Sequence, residues 1–343
     1  MSNAVAALRN WELEAATAER FGTGLINDTY LVTAGEGQFV LQALNPVFAP
    51  EVNADIDRLT ERLQAKGKVT QRLVPDKGGR LWAEVEGRFW RLSTYVPGLC
   101  LDMLHTKDQA AEAGRLLASF HAGIRDLELT LHTERLGVHD TARHLRRLEE
   151  ALTEHPEHRY IAEVSSLASK VRAEAASLPE LPDLPDRLVH GDPKISNLVF
   201  DERSGAGICM IDLDTLSHMP LPLEMGDAFR SWCNPRGEDT QRSEFRLDLF
   251  GAAINGYAEI AGDFVEPEEW HAFLPATRTI MVELAARFLT DALHESYFGW
   301  KPDVFSDRST HNQVRTAGQL ELHQSLVNQY AEAERLVERA FGG

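Results

Sequence analysis

The sequence predicts an α+β chain of two lobes: a small antiparallel β-sheet lobe with one helix over residues 1–95, then a larger, mainly helical lobe over 96–343. Three observations carry this expectation. Short apolar runs separated by glycine turns crowd into the first lobe, long stretches with helical spacing fill the second, and Pro97-Gly98 breaks the chain between them. At 343 residues the chain also exceeds one average domain length, which suits two lobes around a cleft.

The elements follow in order. Phe21 to Asn45 reads as a strand meander through Gly22-Thr23-Gly24, Thr29-Tyr30-Leu31-Val32, a turn at Gly35-Glu36-Gly37, and Phe39-Val40-Leu41, without a βαβ crossover. Asn53 to Lys66 places Ile56, Leu59 and Leu63 on one helical face, and Leu81 to Tyr95 forms a hairpin about Glu86-Gly87. In the second lobe, Gln109 to His121 and Thr141 to Leu178 are predicted helices. The Pro-rich passage Pro179 to Pro185 leads to three short strands, Arg187-Leu188-Val189, Leu198-Val199-Phe200 and Ile208-Cys209-Met210-Ile211. Helices are expected again over Phe245–Ile260, Ala276–His294 and Leu320–Phe341.

Composition mainly excludes. Hydrophobic residues at 43% and charged residues at 26% are the balance of a globular chain with a sizeable core. A formal charge of -18 opposes a general nucleic-acid or anionic-membrane surface and suits a solvated acidic exterior. Three cysteines, Cys100, Cys209 and Cys233, show no Cys-x-x-Cys spacing, so neither a disulfide framework nor a zinc knuckle is expected, and a reducing cytoplasm is the simplest setting. The polar residues Asn10, Glu12, Glu14, Glu19 and Arg20 interrupt the first twenty residues, which fits neither a signal-peptide core nor a membrane span.

The chemistry concentrates in His190-Gly191-Asp192-Pro193-Lys194-Ile195-Ser196-Asn197, a polar loop between two short strands. Phosphoryl transfer requires a carboxylate to take the proton of an attacking hydroxyl and oxygen ligands for Mg²⁺ on the nucleotide phosphates. Asp192 suits the first task and Asn197 the second. Shortly afterwards a strand delivers Asp212 and Asp214 to one face, because strand side chains alternate with period two, and either can hold the metal.

These residues match the His-x-Asp-x-Lys-x-x-Asn pattern of a kinase catalytic loop followed by an Ile-Asp-x-Asp metal strand, and the chain resembles the aminoglycoside phosphotransferase and choline kinase superfamily. With the flanks Gly22 to Tyr30, Val40-Leu41-Gln42, Ile211 to Thr215 and Gly226-Asp227-Ala228-Phe229-Arg230, it is similar to the N-acetylhexosamine 1-kinase group. Arg287 to Asp291, Tyr297-Phe298 and Asn312 to Thr316 extend that likeness over most of the chain.

The resemblance implies a two-lobed, protein-kinase-like fold and an ATP- and Mg²⁺-dependent kinase whose acceptor is a small molecule, the anomeric hydroxyl of an N-acetylhexosamine. It implies Asp192 as the base, Asn197 and Asp212 as magnesium ligands with Asp214 a possible second aspartate, and Lys194 near the transferred phosphate, where a cation offsets developing charge. The Gly22 to Tyr30 segment, with Gly22, Gly24, Asn27 and Thr29, would lie over the phosphates, and the backbone through Thr94, Tyr95 and Val96 near the adenine.

One position departs from the kinase pattern. Gln42 stands where most kinases carry the third-strand lysine that touches nucleotide phosphates and pairs with a helix carboxylate, for which Asp57 and Glu61 are both candidates here. Gln42 is expected to hydrogen-bond a phosphate oxygen or the helix residue. An inactive nucleotide-binding module is the contrasting reading, and a kinase of an aminoglycoside, an amino alcohol or another sugar is the alternative enzyme. His190 is expected to brace the loop. Asp227 and Arg230 are expected to cap and brace at the start of a helix, and Trp232 and Trp300 are candidates for stacking on a sugar.

Overall fold

The computed structural model describes residues 2–22, 27–35, 37–133 and 137–342. Helix α1 (Ser2–Leu8) and a 3₁₀ turn at Arg9–Trp11 precede strands β1 (Thr17–Arg20), β2 (Asp28–Ala34) and β3 (Gly37–Ala43), helix α2 (Val52–Ala65), and strands β4 (Ala83–Val85) and β5 (Arg88–Thr94). The five strands form one antiparallel sheet in the order β1-β2-β3-β5-β4. Period-two alternation then divides its faces. Tyr30, Val32, Leu41, Ala43, Trp90 and Leu92 bury one face against Ala4, Ala7, Leu8 and Trp11 of the N-terminal segment. Gln42 and its cross-strand partner Arg91 lie on the other.

Two details of this lobe differ from the expectation. The first strand lies at Thr17–Arg20, upstream of Gly22, whose φ of 78° is a turn conformation that glycine adopts without strain. Helix α1 was not expected, since seven residues are too few to show a helical period; packing against the sheet holds it.

Beyond β5, strand β6 (Leu99–Cys100) leads to helices α3 (Lys107–Ile124), α4 (Thr141–Glu154) and α5 (Ile161–Ala175). Thr106 and Gln109 form a capping box that starts α3. The long helix expected over Thr141–Leu178 is two helices, divided around Pro156, which supplies no backbone donor. Strands β7 (Asp186–Val189), β8 (Leu198–Phe200), β9 (Gly207–Met210) and β10 (Ser217–Pro220) follow, then helices α6 (Leu221–Trp232), α7 (Leu247–Ala261), α8 (Pro267–His271), α9 (Phe273–His294), α10 (Arg308–Val327) and α11 (Tyr330–Phe341). Strands β6, β8 and β9 form one small sheet, and β7 pairs with β10.

The core of this lobe depends on close helix contact. A Cβ at Gly114 of α3 would stand 2.1 Å from the Ala253 carbonyl of α7, and one at Gly226 of α6 would stand 2.9 Å from that of Ala276 in α9. Phe229, Trp232, Phe250, Tyr257 and Phe273 fill the space between these helices. Antiparallel sheet and helical lobe thus agree with the expected fold class. Among the described residues no helix is long and apolar enough to cross a membrane.

Candidate active site

The loop after β7 is held from behind. Glu224 of α6 is wholly buried and accepts the backbone N–H of His190 at 3.0 Å and of Gly191 at 2.9 Å. The His190 ring donates from Nε2 to the Ile211 carbonyl at 2.9 Å, and its Nδ1 accepts the Asp192 N–H at 3.3 Å. Both ring nitrogens are thereby spent on backbone, as expected of a brace. Gly191 has φ 80°, and a Cβ there would lie 2.0 Å from the Thr215 carbonyl, so no other residue fits.

Asp192 faces Lys194 Nζ at 2.5 Å, and Asn197 Nδ2 donates to the Asp192 carbonyl at 2.8 Å. Burial alone would raise the Asp192 carboxyl, but the charge and hydrogen bond of Lys194, with His190 and Arg230, hold it below the usual carboxylate value. Burial would likewise lower Lys194, and Asp192 and Asp212 reverse this. Trp232 Nε1 donates to the Pro193 carbonyl at 2.9 Å and Ser231 Oγ accepts the Ile195 N–H at 3.2 Å. Trp232 is therefore a buried support of the loop and cannot stack on an acceptor.

Strand β9 ends opposite this loop, where Ile211 N–H donates to the Asn197 carbonyl at 2.9 Å. Asp212 follows in the left-handed region at φ 64°, and no described residue donates a hydrogen bond to its carboxylate. Burial, then the nearby Asp214 charge, pushes its pKa up to about 6. A desolvated carboxylate without donors, together with the Oδ1 of Asn197, is a pair of oxygen donors whose chemistry fits Mg²⁺.

Asp214 is differently placed. Its carboxylate takes Arg91 Nη1 at 2.5 Å and Nη2 at 2.8 Å, and Asn27 Nδ2 at 2.9 Å. Arg91 also donates from Nε and Nη2 to Gln42 Oε1, at 2.9 and 2.7 Å, while Gln42 Nε2 donates to Thr29 Oγ1 at 3.2 Å. Gln42 thus turns to a strand neighbour and not to helix α2. Asp57 pairs with Arg72 at 2.9 Å and Glu61 is exposed, so neither is the helix partner. Sequence reasoning missed Arg91. A single charge inside the apolar run Phe89-Trp90-Arg91-Leu92, alternating onto the face of Gln42, was the available signal.

Of the other residues expected at the nucleotide, Gly22 follows β1 with φ 78°, and Asn27 Oδ1 accepts the Asn45 N–H at 2.8 Å. Thr94 Oγ1 accepts the Arg72 N–H at 3.0 Å, Tyr95 meets Phe21 edge-on with ring centres 5.9 Å apart, and Val96 follows in the segment that leaves the sheet. Gly24 lies outside the described residues.

A sequence profile of the phosphotransferase enzyme family spans residues 17–262. The chain belongs to this family. It is a small-molecule phosphotransferase with an alcohol group as acceptor. Solved structures with the same fold include a microcompartment-associated aminopropanol kinase, 17% identical over 98% of this chain and 99% of that one, with a TM-score of 0.65. A choline kinase from Cryptosporidium parvum is 11% identical over 98% and 97%, with a TM-score of 0.62. An amicoumacin kinase in complex with AMP-PNP, Ca²⁺ and Ami is 12% identical over 91% and 89%, with a TM-score of 0.60.

In this phosphotransferase several acids of the second lobe, Asp212 apart, are already occupied. Asp227 and Arg230 lie in the second half of α6 and not at a helix start; Arg230 joins Asp227 at 2.7 Å and also Glu238, so they brace without capping. Asp239 receives His311 at 2.7 Å, Arg315 at 2.8 Å and Lys301 at 2.7 Å, and the hydrogen bonds of His311 and Lys301 with the Arg315 charge hold it well below the carboxylate range despite burial. Asp291 accepts the N–H groups of Ser296, Tyr297 and Phe298 and the amide of Asn312. Trp300 is half-buried in the segment between α9 and α10.

Proposed function

We propose that the chain is an ATP- and Mg²⁺-dependent kinase that phosphorylates a neutral sugar hydroxyl, the anomeric hydroxyl of an N-acetylhexosamine. Residues 1–95 would bind the nucleotide and residues 96–343 the acceptor. Asp192 accepts the hydroxyl proton, the acceptor oxygen bonds to the γ-phosphorus, and the bond from that phosphorus to the bridging oxygen breaks to leave ADP. Lys194 offsets charge on the transferred group. Asn197 and Asp212 would hold Mg²⁺, which supplies neutralisation of the phosphates when bound. Gly22, Gly24, Asn27 and Thr29 would lie along the phosphates, and Thr94, Tyr95 and Val96 along the adenine.

The observation that carries the choice of a neutral acceptor is the pairing of Glu238, Asp239 and Asp291 with protein partners. A cationic aminoglycoside or amino alcohol is best met by carboxylates free to face it, whereas Glu238 and Asp239 are paired with cations of the protein and Asp291 is occupied by four N–H donors. The similarity of Gly226–Arg230, Arg287–Asp291 and Asn312–Thr316 to the amino-sugar kinases then favours an N-acetylhexosamine.

An ADP-release assay across N-acetylhexosamines, other sugars, amino alcohols and aminoglycosides, with phosphorus NMR of the product, tests this. Turnover of an N-acetylhexosamine to its 1-phosphate is expected. Turnover confined to cationic acceptors sinks the sugar reading, and ATP binding with no acceptor-dependent ADP release sinks the enzyme.

A further inference from the structure

We propose that Arg91 supplies the phosphate-contacting cation of the nucleotide site, moved one strand along from the place where kinases usually carry a lysine. The proposal rests on the ATP-kinase reading above. Gln42 occupies the lysine's position on β3 and has no charge to offer a triphosphate. Its register partner on β5 is Arg91, and directly paired residues of an antiparallel sheet project from the same face. The charge missing from β3 is therefore present on the same surface.

The hydrogen bonds around the guanidinium specify its pose. A guanidinium has five N–H donors in a planar fork. Four are held in contacts of 2.5–2.9 Å, two on Gln42 Oε1 and two on the Asp214 carboxylate. The remaining Nη1 donor has only Asn53 Oδ1 at 3.4 Å, a weak contact that a phosphate oxygen can replace. Gln42 thus acts as a positioning residue: Thr29 orients its amide, and its oxygen aims the guanidinium.

The carboxylate partner has moved as well. Helix α2 supplies no acid to Arg91, since Asp55 is bonded to His132, Asp57 is paired with Arg72 and Glu61 is exposed. Asp214, just past Asp212, takes that part, and Arg91 lies within electrostatic range of both aspartates. The triphosphate cation is thereby joined directly to the turn that follows β9, without a helix between them.

Calorimetric titration of the full chain with adenosine and with MgATP separates phosphate recognition from simple folding. Wild-type protein is expected to bind MgATP more tightly than adenosine, and Arg91→Gln to lose about ten- to a hundredfold of that preference while its adenosine affinity stays the same. Returning the cation to β3 in Arg91→Gln/Gln42→Lys should recover the preference, which a purely structural arginine does not predict. Should Arg91→Gln fail to fold, Arg91→Lys provides the single-variant reading, with a smaller loss of preference expected. An unchanged MgATP-to-adenosine ratio in either folded single variant overturns the proposal alone. Wild-type protein that binds neither ligand overturns the kinase reading, and this proposal with it.

Discussion

The loop after β7 and the Gln42–Arg91 face of the sheet are assembled on opposite plans. In the loop, Asp192, Lys194 and Asn197 touch one another within six residues of chain. On the sheet, Asn27 reaches Asp214 across 187 positions and Arg91 reaches it across 123. Chemistry written in consecutive residues can be recognised as a phrase, whereas a charge passed between strands keeps its function and loses its usual address.

The largest expected effect breaks the loop side of this comparison. Asp192→Asn should lower acceptor-dependent ADP release by roughly a hundred- to ten-thousandfold, because the proton acceptor is lost, with MgATP affinity by calorimetry almost unchanged. A variant with near-normal turnover would remove Asp192 from its role.

On the sheet side, Asp214→Ala leaves Arg91 buried without its carboxylate and should destabilise the protein by about 3–5 kcal/mol, measured by urea unfolding. An unaltered midpoint would mean that the pair is not formed in solution.

Glu224→Gln tests how the loop is supported. The amide still accepts one backbone N–H but turns a donor toward the other, an expected cost of about 1–3 kcal/mol with turnover reduced at unchanged MgATP affinity. Equal stability and turnover would show the loop to be held elsewhere.

The smallest effect concerns pH, far from the cleft. His323 is buried, its Nε2 accepts from Arg278 Nε at 3.2 Å and its Nδ1 faces the Glu174 carboxylate at 3.1 Å; burial and then the Arg278 charge lower its pKa from 6.5 to about 4. The unfolded chain binds that proton more readily, so the stability contribution is complete above pH 6.5 and is lost as pH falls toward 4. His323→Gln should flatten the stability profile in this window, whereas an identical slope would assign the acid response to other groups.

The same contrast accounts for how much could be read from the sequence. Strands β2, β3 and β5, helix α2 and the three strands around the loop were readable because alternation, helical spacing and glycine turns are local signals. Helix α1, the division of α4 from α5 and the position of β1 depended on packing or on a single proline. For the site, Asp192, Lys194 and Asn197 meet within the loop, but strand alternation does not deliver Asp212 and Asp214: the strand ends at Met210, Asp212 turns into the left-handed region and Asp214 lies in a 3₁₀ turn, so the two carboxylates part. The roles of Trp232, Asp227 and Arg91 depended on which tertiary neighbour each side chain meets, which sequence spacing does not encode.

The Arg91–Asp214 pair has a mechanical side. It joins β5 of the sheet to the turn after β9, and the Asn27 amide adds a second tie at the same carboxylate. A sheet tied in this way to the turn after β9 does not rely on the nucleotide to hold the two together. The radius of gyration from small-angle scattering should therefore be the same before and after ATP is added, because any opening there must first break a desolvated bond.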